Sequence, residues 1–65
     1  MRVLVNGAWR EVSDNDLERA LSELGYGDSV VATALNGEFV AASARNGTTL
    51  AEGDRIEVLA PMQGG

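Results

Sequence analysis

The chain contains no cysteine, no histidine and no lysine. Without thiols or imidazoles it has no disulfide, no thiolate nucleophile, no imidazole general base and none of the usual ligands of zinc or iron. Chemistry on this protein must use a carboxylate, a hydroxyl or a terminus. The missing lysine leaves the amino terminus as the only amine able to capture an activated acyl group at low cost. An activated carboxyl end is therefore expected to survive near its own surface, although a short arginine-preferring chain explains the absence without selection. No apolar run approaches the roughly 20 residues of a membrane span, and no basic segment leads into an apolar one. This predicts a soluble, cytoplasmic protein.

What is present fits one small domain. The 65 residues bury on folding only about 60% of the surface an unfolded chain exposes, which leaves no room for an internal active-site cleft. Ten acidic residues against five arginines give a net charge of −5. That balance disfavours nucleic acid, whose phosphates would repel the chain, and favours a partner with a basic docking surface.

Along the chain, Arg2 to Asn6 alternates with Val3 and Val5 on one face, Asn6-Gly7 suits a tight turn, and Trp9 to Val12 resumes an extended pattern. This predicts an opening hairpin. The single tryptophan can sit in a partner interface, but its hairpin position favours covering a small core. Ser13 precedes Asp14, Asn15 and Asp16 in a spacing that imitates a capping box, which predicts a helix capped by Ser13. Leu17, Ala20, Leu21 and Leu24 supply the apolar stripe of that helix, and Gly25 a left-handed stop.

Val30 to Leu35 reads as a strand buried over most of its length in a central position. Asn36-Gly37 is a second turn, Glu38 to Ala42 a short returning strand, and Ser43 to Thr49 a surface loop with little regular structure. After the turn at Glu52-Gly53-Asp54, the last strand, Arg55 to Ala60, points Ile56, Val58 and Ala60 one way and Arg55, Glu57 and Leu59 the other. The order predicts an α+β domain, with one helix packed across a mixed sheet of four to five strands and serving the crossover between parallel first and last strands.

The chain then ends in Pro61, Met62, Gln63, Gly64 and Gly65. Without Cβ atoms, two glycines let a backbone pass through openings too narrow for a side chain. The residues alone leave open whether this is an inert frayed end or an arm threaded into another protein. Pro61 fixes one φ where the strand ends and can aim the arm outward. Glu57 and Leu59 are expected to face away from the helix, and Leu59 with Met62 to form an apolar patch for a partner beside the tail.

Three stretches together carry a family resemblance: Ala34-Leu35-Asn36-Gly37-Glu38-Phe39-Val40, Leu50-Ala51-Glu52-Gly53-Asp54-Arg55-Ile56-Glu57-Val58, and the terminal Gly64-Gly65. The chain resembles the small ubiquitin-like sulfur carriers, nearest their thiamine-biosynthesis branch and next to the small subunit of molybdopterin synthase. The run Ala41-Ala42-Ser43-Ala44-Arg45 stands where the family often has proline, arginine or tryptophan, and it leaves room for another sulfur-carrier pathway. The resemblance implies a β-grasp domain over residues 1–60 with a flexible tail over 61–65.

It also implies a protein co-substrate, not an enzyme, with no stably bound cofactor of its own. An adenylating enzyme similar to ubiquitin-activating enzymes would use ATP and magnesium to convert the Gly65 carboxylate to an acyl-adenylate. A persulfide sulfur donor would then yield a thiocarboxylate, passed on to thiazole synthase. A ubiquitin-like modifier joined to lysines of target proteins, and an interaction domain with an inert tail, are the alternatives.

Overall fold

The computed structural model describes residues 1–60. Strands β1 (Arg2–Val5) and β2 (Ala8–Glu11) are followed by helix α1 (Leu17–Glu23), then β3 (Ala32–Leu35), β4 (Glu38–Val40), a 3-10 turn (Ala42–Ala44) and β5 (Arg55–Leu59). The strands form one mixed sheet in the order β2-β1-β5-β3-β4. β1 and β5 run parallel, with Leu4 opposite Arg55 and Val5 opposite Ile56, and the other neighbours are antiparallel.

The helix covers one face of this sheet. Leu17, Ala20 and Leu21 are buried against Val3 and Val5 of β1 and Ile56 and Val58 of β5, with Val12 and Leu50 closing the core from the connections. Each of the valine, leucine and isoleucine side chains contributes about 1.5–3 kcal/mol when fully removed from water, and Ala20 less. Two hydrogen bonds across Gly25 end the helix, from Gly25 N–H to the Ser22 carbonyl at 3.1 Å and from Tyr26 N–H to the Leu21 carbonyl at 2.9 Å. Gly25 has φ +97°, so the predicted left-handed stop is present.

Several expectations need correction. The helix cap is Asp16, extended at φ −96° and ψ 131°, whose carboxylate accepts from Arg19 N–H. Ser13 turns instead to Glu23 in the last helical turn. Asp16 wins because its backbone is already held outside the helix by a bridge to Thr49, while its Oδ1 accepts from Gly47 N–H at 2.7 Å.

β3 lies inside the sheet, between β5 and β4, but β5 is the middle strand and the expected burial of β3 over most of its length is not found. Only Thr33 of β3 is fully buried, because a single helix can cover just one sheet face. Val30 precedes the strand and is 81% exposed. Trp9 does not cover the core either. The two-residue turn sets it opposite Leu4, on the face away from the helix, and the Arg2 guanidinium carbon lies 4.5 Å from its ring centroid.

The segment read as an irregular loop begins with the 3-10 turn and is anchored by Arg45. Its Nε donates to Thr33 Oγ1 at 2.9 Å and its terminal nitrogen donates to the Val31 carbonyl. Thr33 Oγ1 in turn donates to the Val40 carbonyl at 2.9 Å.

Candidate docking face and the root of the tail

β5 ends one residue before Ala60, where the described chain stops, so the strand at the middle of the sheet leads directly to the tail. It is gripped from both sides by asparagines in left-handed turns. Asn6 and Asn36 each have φ +50° and each precedes a glycine that is also left-handed. Asparagine tolerates this region better than most residues, and the Asn-Gly pair suits the tight hairpin turn. Asn36 accepts from Arg55 N–H at 2.9 Å through Oδ1, and its own N–H donates to the Arg55 carbonyl at 2.7 Å. Asn6 holds the other end of the strand, at Val58.

Strand alternation places Ile56 and Val58 in the core and turns Arg55, Glu57 and Leu59 outward. The expected outward placement of Glu57 and Leu59 is therefore correct, and Leu59 is 69% exposed. The same face receives Arg2 and Leu4 from β1, Trp9 and Glu11 from β2, Ala32 and Ala34 from β3 and Phe39 from β4, as the pairing registers require. Leu4, Ala34, Phe39 and Leu59 line a shallow groove of about 280 Å³ that extends to the Asn6-Gly7 turn. A second apolar depression of about 290 Å³, formed by Val30, Val31, Ala32, Leu59 and Ala60, adjoins it at the tail's root.

The outer face carries Arg2 and Arg55 against Glu11 and Glu57, so its strands contribute no net charge. The remaining three arginines and eight carboxylates lie on the helix side and in the connections, where the whole excess of −5 resides. A neutral, apolar face on an acidic protein is suited to burial against another protein, since little charge has to be desolvated there.

Phe39, Val30 and Leu4 belong to this surface as well, and the sequence pattern alone does not mark them. Strand alternation alone does not say which face of a short strand is covered. The pairing of Ala34 with Phe39 and of Leu4 with Arg55 supplies that information. Met62, Pro61, Gln63, Gly64 and Gly65 lie outside the described residues, and with them the expected pairing of Leu59 with Met62.

Among the described residues, no cluster of three or more acidic side chains is placed to hold a metal ion. Every buried side-chain nitrogen or oxygen among them has a hydrogen-bond partner. The carboxyl of Glu23 is held below its ordinary value, chiefly by the Ser13 N–H, but it belongs to the helix, which covers the other face of the sheet. What the described residues provide is a neutral apolar face and, beside it, a central strand hydrogen-bonded on both sides close to the last described residue.

Comparison with known proteins agrees with this architecture. The chain matches the ThiS family over residues 3–65. It is similar to the crystal structure of a thiamine biosynthesis protein (ThiS) from Geobacter metallireducens at 33% identity and a TM-score of 0.80, over 100% of both chains. No curated protein matches the sequence. The fold is the β-grasp that the family resemblance implies, with one helix on a five-stranded mixed sheet. With a family match from the first strand through the terminal glycines and a solved relative of the same length and fold, the chain belongs to the ThiS family.

Proposed function

We propose that this protein is a sulfur carrier of thiamine biosynthesis, serving the thiazole branch, with the Gly65 carboxylate as the group that carries sulfur. The observation that supports this most is the family match extending through Gly64 and Gly65, joined to a central strand that ends at Leu59, next to the last described residue. On this reading residues 1–60 are the recognition domain and residues 61–65 the reacting arm. The chain is a cytoplasmic co-substrate, and its partners are the catalysts. No helix among the described residues is long and apolar enough to cross a membrane.

A carboxylate is a poor electrophile until one oxygen becomes part of a good leaving group. In the proposed sequence a Gly65 oxygen attacks the α-phosphorus of ATP at the adenylating enzyme, and pyrophosphate leaves. The terminal sulfur of a cysteine persulfide then attacks the acyl carbon and AMP leaves, giving an acyl disulfide. A second thiol takes the donor sulfur into a new disulfide and releases the thiocarboxylate. ATP and magnesium belong to the adenylating partner, and thiazole synthase receives the sulfur.

The outer face with Leu4, Phe39 and Leu59 is assigned to the adenylating enzyme because it is continuous with the root of the arm that the enzyme must receive. The protein is tested by incubation with that enzyme, ATP, magnesium and a persulfide donor, followed by intact-mass measurement. The expected product gains the mass difference between sulfur and oxygen at the C-terminal residue. An unchanged mass, or Gly65 found joined to lysines of other proteins in place of a thiocarboxylate, overturns the reading.

A further inference from the structure

β1 and β5 share only two paired positions before β1 turns away at Asn6. β5 runs on through Glu57, Val58 and Leu59. On one side these residues keep strand partners, with Ala34, Thr33 and Ala32 opposite them in turn. On the other side the parallel strand has ended, and successive residues of a strand direct their backbone groups to alternate sides. The N–H and carbonyl of Val58 face that vacated side while its side chain is buried in the core.

The Asn6 carboxamide takes the place of the missing strand. Val58 N–H donates to Asn6 Oδ1 at 2.8 Å, and Asn6 Nδ2 donates to the Val58 carbonyl at 3.0 Å. The Asn6 N–H also donates to the Ile56 carbonyl at 3.0 Å. One turn residue thus satisfies three consecutive ladder groups of β5, ending two residues before Ala60.

We propose that Asn6 is a positioning residue for the C-terminal arm: its carboxamide clamp on Val58 fixes the point and direction at which the chain leaves the sheet. This rests on the proposed function, in which residues 61–65 are the reacting arm. Five extended residues span roughly 17 Å, so a swing of about 10° at the root moves the far end about 3 Å. A misplacement of about 1 Å can cost about a hundredfold in a reaction that needs in-line geometry. Asn6 borders the groove lined by Leu4 and Phe39, but both polar atoms of its carboxamide are engaged by Val58, so on this proposal the clamp acts on delivery of the carboxylate more than on recognition of the domain.

The molecule contains its own control. Asn36 has the same dipeptide context and the same φ, and it grips the same strand at Arg55, the end remote from the arm. Glycine at either position keeps the left-handed backbone accessible and removes only the carboxamide. Full-length Asn6→Gly and Asn36→Gly are compared with the wild type by denaturant midpoint, by steady-state adenylation with the adenylating enzyme and ATP, and by amide hydrogen exchange at Val58.

Both variants are expected to lose similar stability. Asn6→Gly alone should lower kcat by about 10- to 100-fold, with KM for the carrier within about twofold of wild type. Its Val58 amide should exchange faster than global destabilisation, as gauged by Asn36→Gly, accounts for. Equal loss of kcat in the two variants, a rise in KM alone, or unaltered turnover in Asn6→Gly overturns the proposal. If the wild type is itself not adenylated, the functional reading fails separately. Val58 exchange then decides the clamp, and an unaltered rate in Asn6→Gly refutes it.

Discussion

Glu23, in the last turn of the helix, reaches back to Ser13, ten residues earlier: its Oε1 accepts from Ser13 N–H at 2.9 Å and its Oε2 from the Ser13 hydroxyl at 3.0 Å. Asp14 N–H donates to Oε2 as well, at 2.9 Å. One carboxylate therefore binds the segment leading into the helix to the helix's far end. These donors favour the ionised form and hold the pKa below its ordinary value of 4.5. A depressed carboxylate contributes stability above its unfolded pKa, and the contribution is lost as pH falls through the folded pKa. The stability gap between wild type and Glu23→Gln should be widest near neutrality and shrink on acidification below the usual carboxylate range. Urea denaturation at a series of pH values measures it, and a gap independent of pH contradicts the latch.

Arg45 should matter more to stability than its place in a surface segment suggests. It donates to Thr33 Oγ1 and the Val31 carbonyl, and Thr33 is 1% exposed. Arg45→Ala leaves polar groups beside the core with fewer partners, at a cost of about 1–3 kcal/mol. Arg45→Lys should recover little, because an ammonium cannot span two acceptors as a planar guanidinium does. Chemical denaturation of both variants checks this, and a fully restored midpoint in Arg45→Lys would argue against the forked geometry.

Leu59→Asp and Phe39→Asp place a charge on the outer face without touching the core, since both side chains are largely exposed. Each should weaken binding to the adenylating enzyme by about 10-fold or more if it lies near the centre of the interface, while the thermal midpoint stays near that of wild type. Titration calorimetry reads the affinity. Unchanged affinity in both variants would move the docking surface elsewhere.

On the proposed function, Gly64→Trp adds bulk where the arm would pass close to the nucleotide. Pyrophosphate release should fall to background, with circular dichroism unchanged, because the substitution leaves every side chain of the described core in place. An intact rate of adenylate formation would sink the threading argument.

Helix and strand identities were legible because they follow from periodicity within short windows. The stripe Leu17, Ala20, Leu21 and the alternation of Ile56 and Val58 with Glu57 and Leu59 are local facts. What misled were choices between locally equal options. Ser13 and Asp16 are both competent caps, and the decision came from Glu23 and Thr49, distant in sequence. Trp9 is apolar enough for either face, and the hairpin register placed it with Leu4. The run Val30 to Leu35 reads as buried because its residues are apolar, but coverage depends on how many helices the chain supplies. The two Asn-Gly turns were recognised as turns, while their grip on β5 depends on contacts across 19 and 52 positions of sequence.

The position of β5 also has a consequence in time. The β1–β2 and β3–β4 hairpins pair residues close in sequence and can form while the chain is still emerging, but they share no edge until β5 is inserted between them. Its contacts with β1 bridge about fifty residues of sequence, the kind of non-local pairing that is made late in folding. A nascent or unfolded chain thus has neither an assembled outer face nor a fixed origin for the arm. On the proposed function, only a finished domain would present itself for activation, and an adenylating enzyme that reads the sheet would spend its ATP on completed carriers.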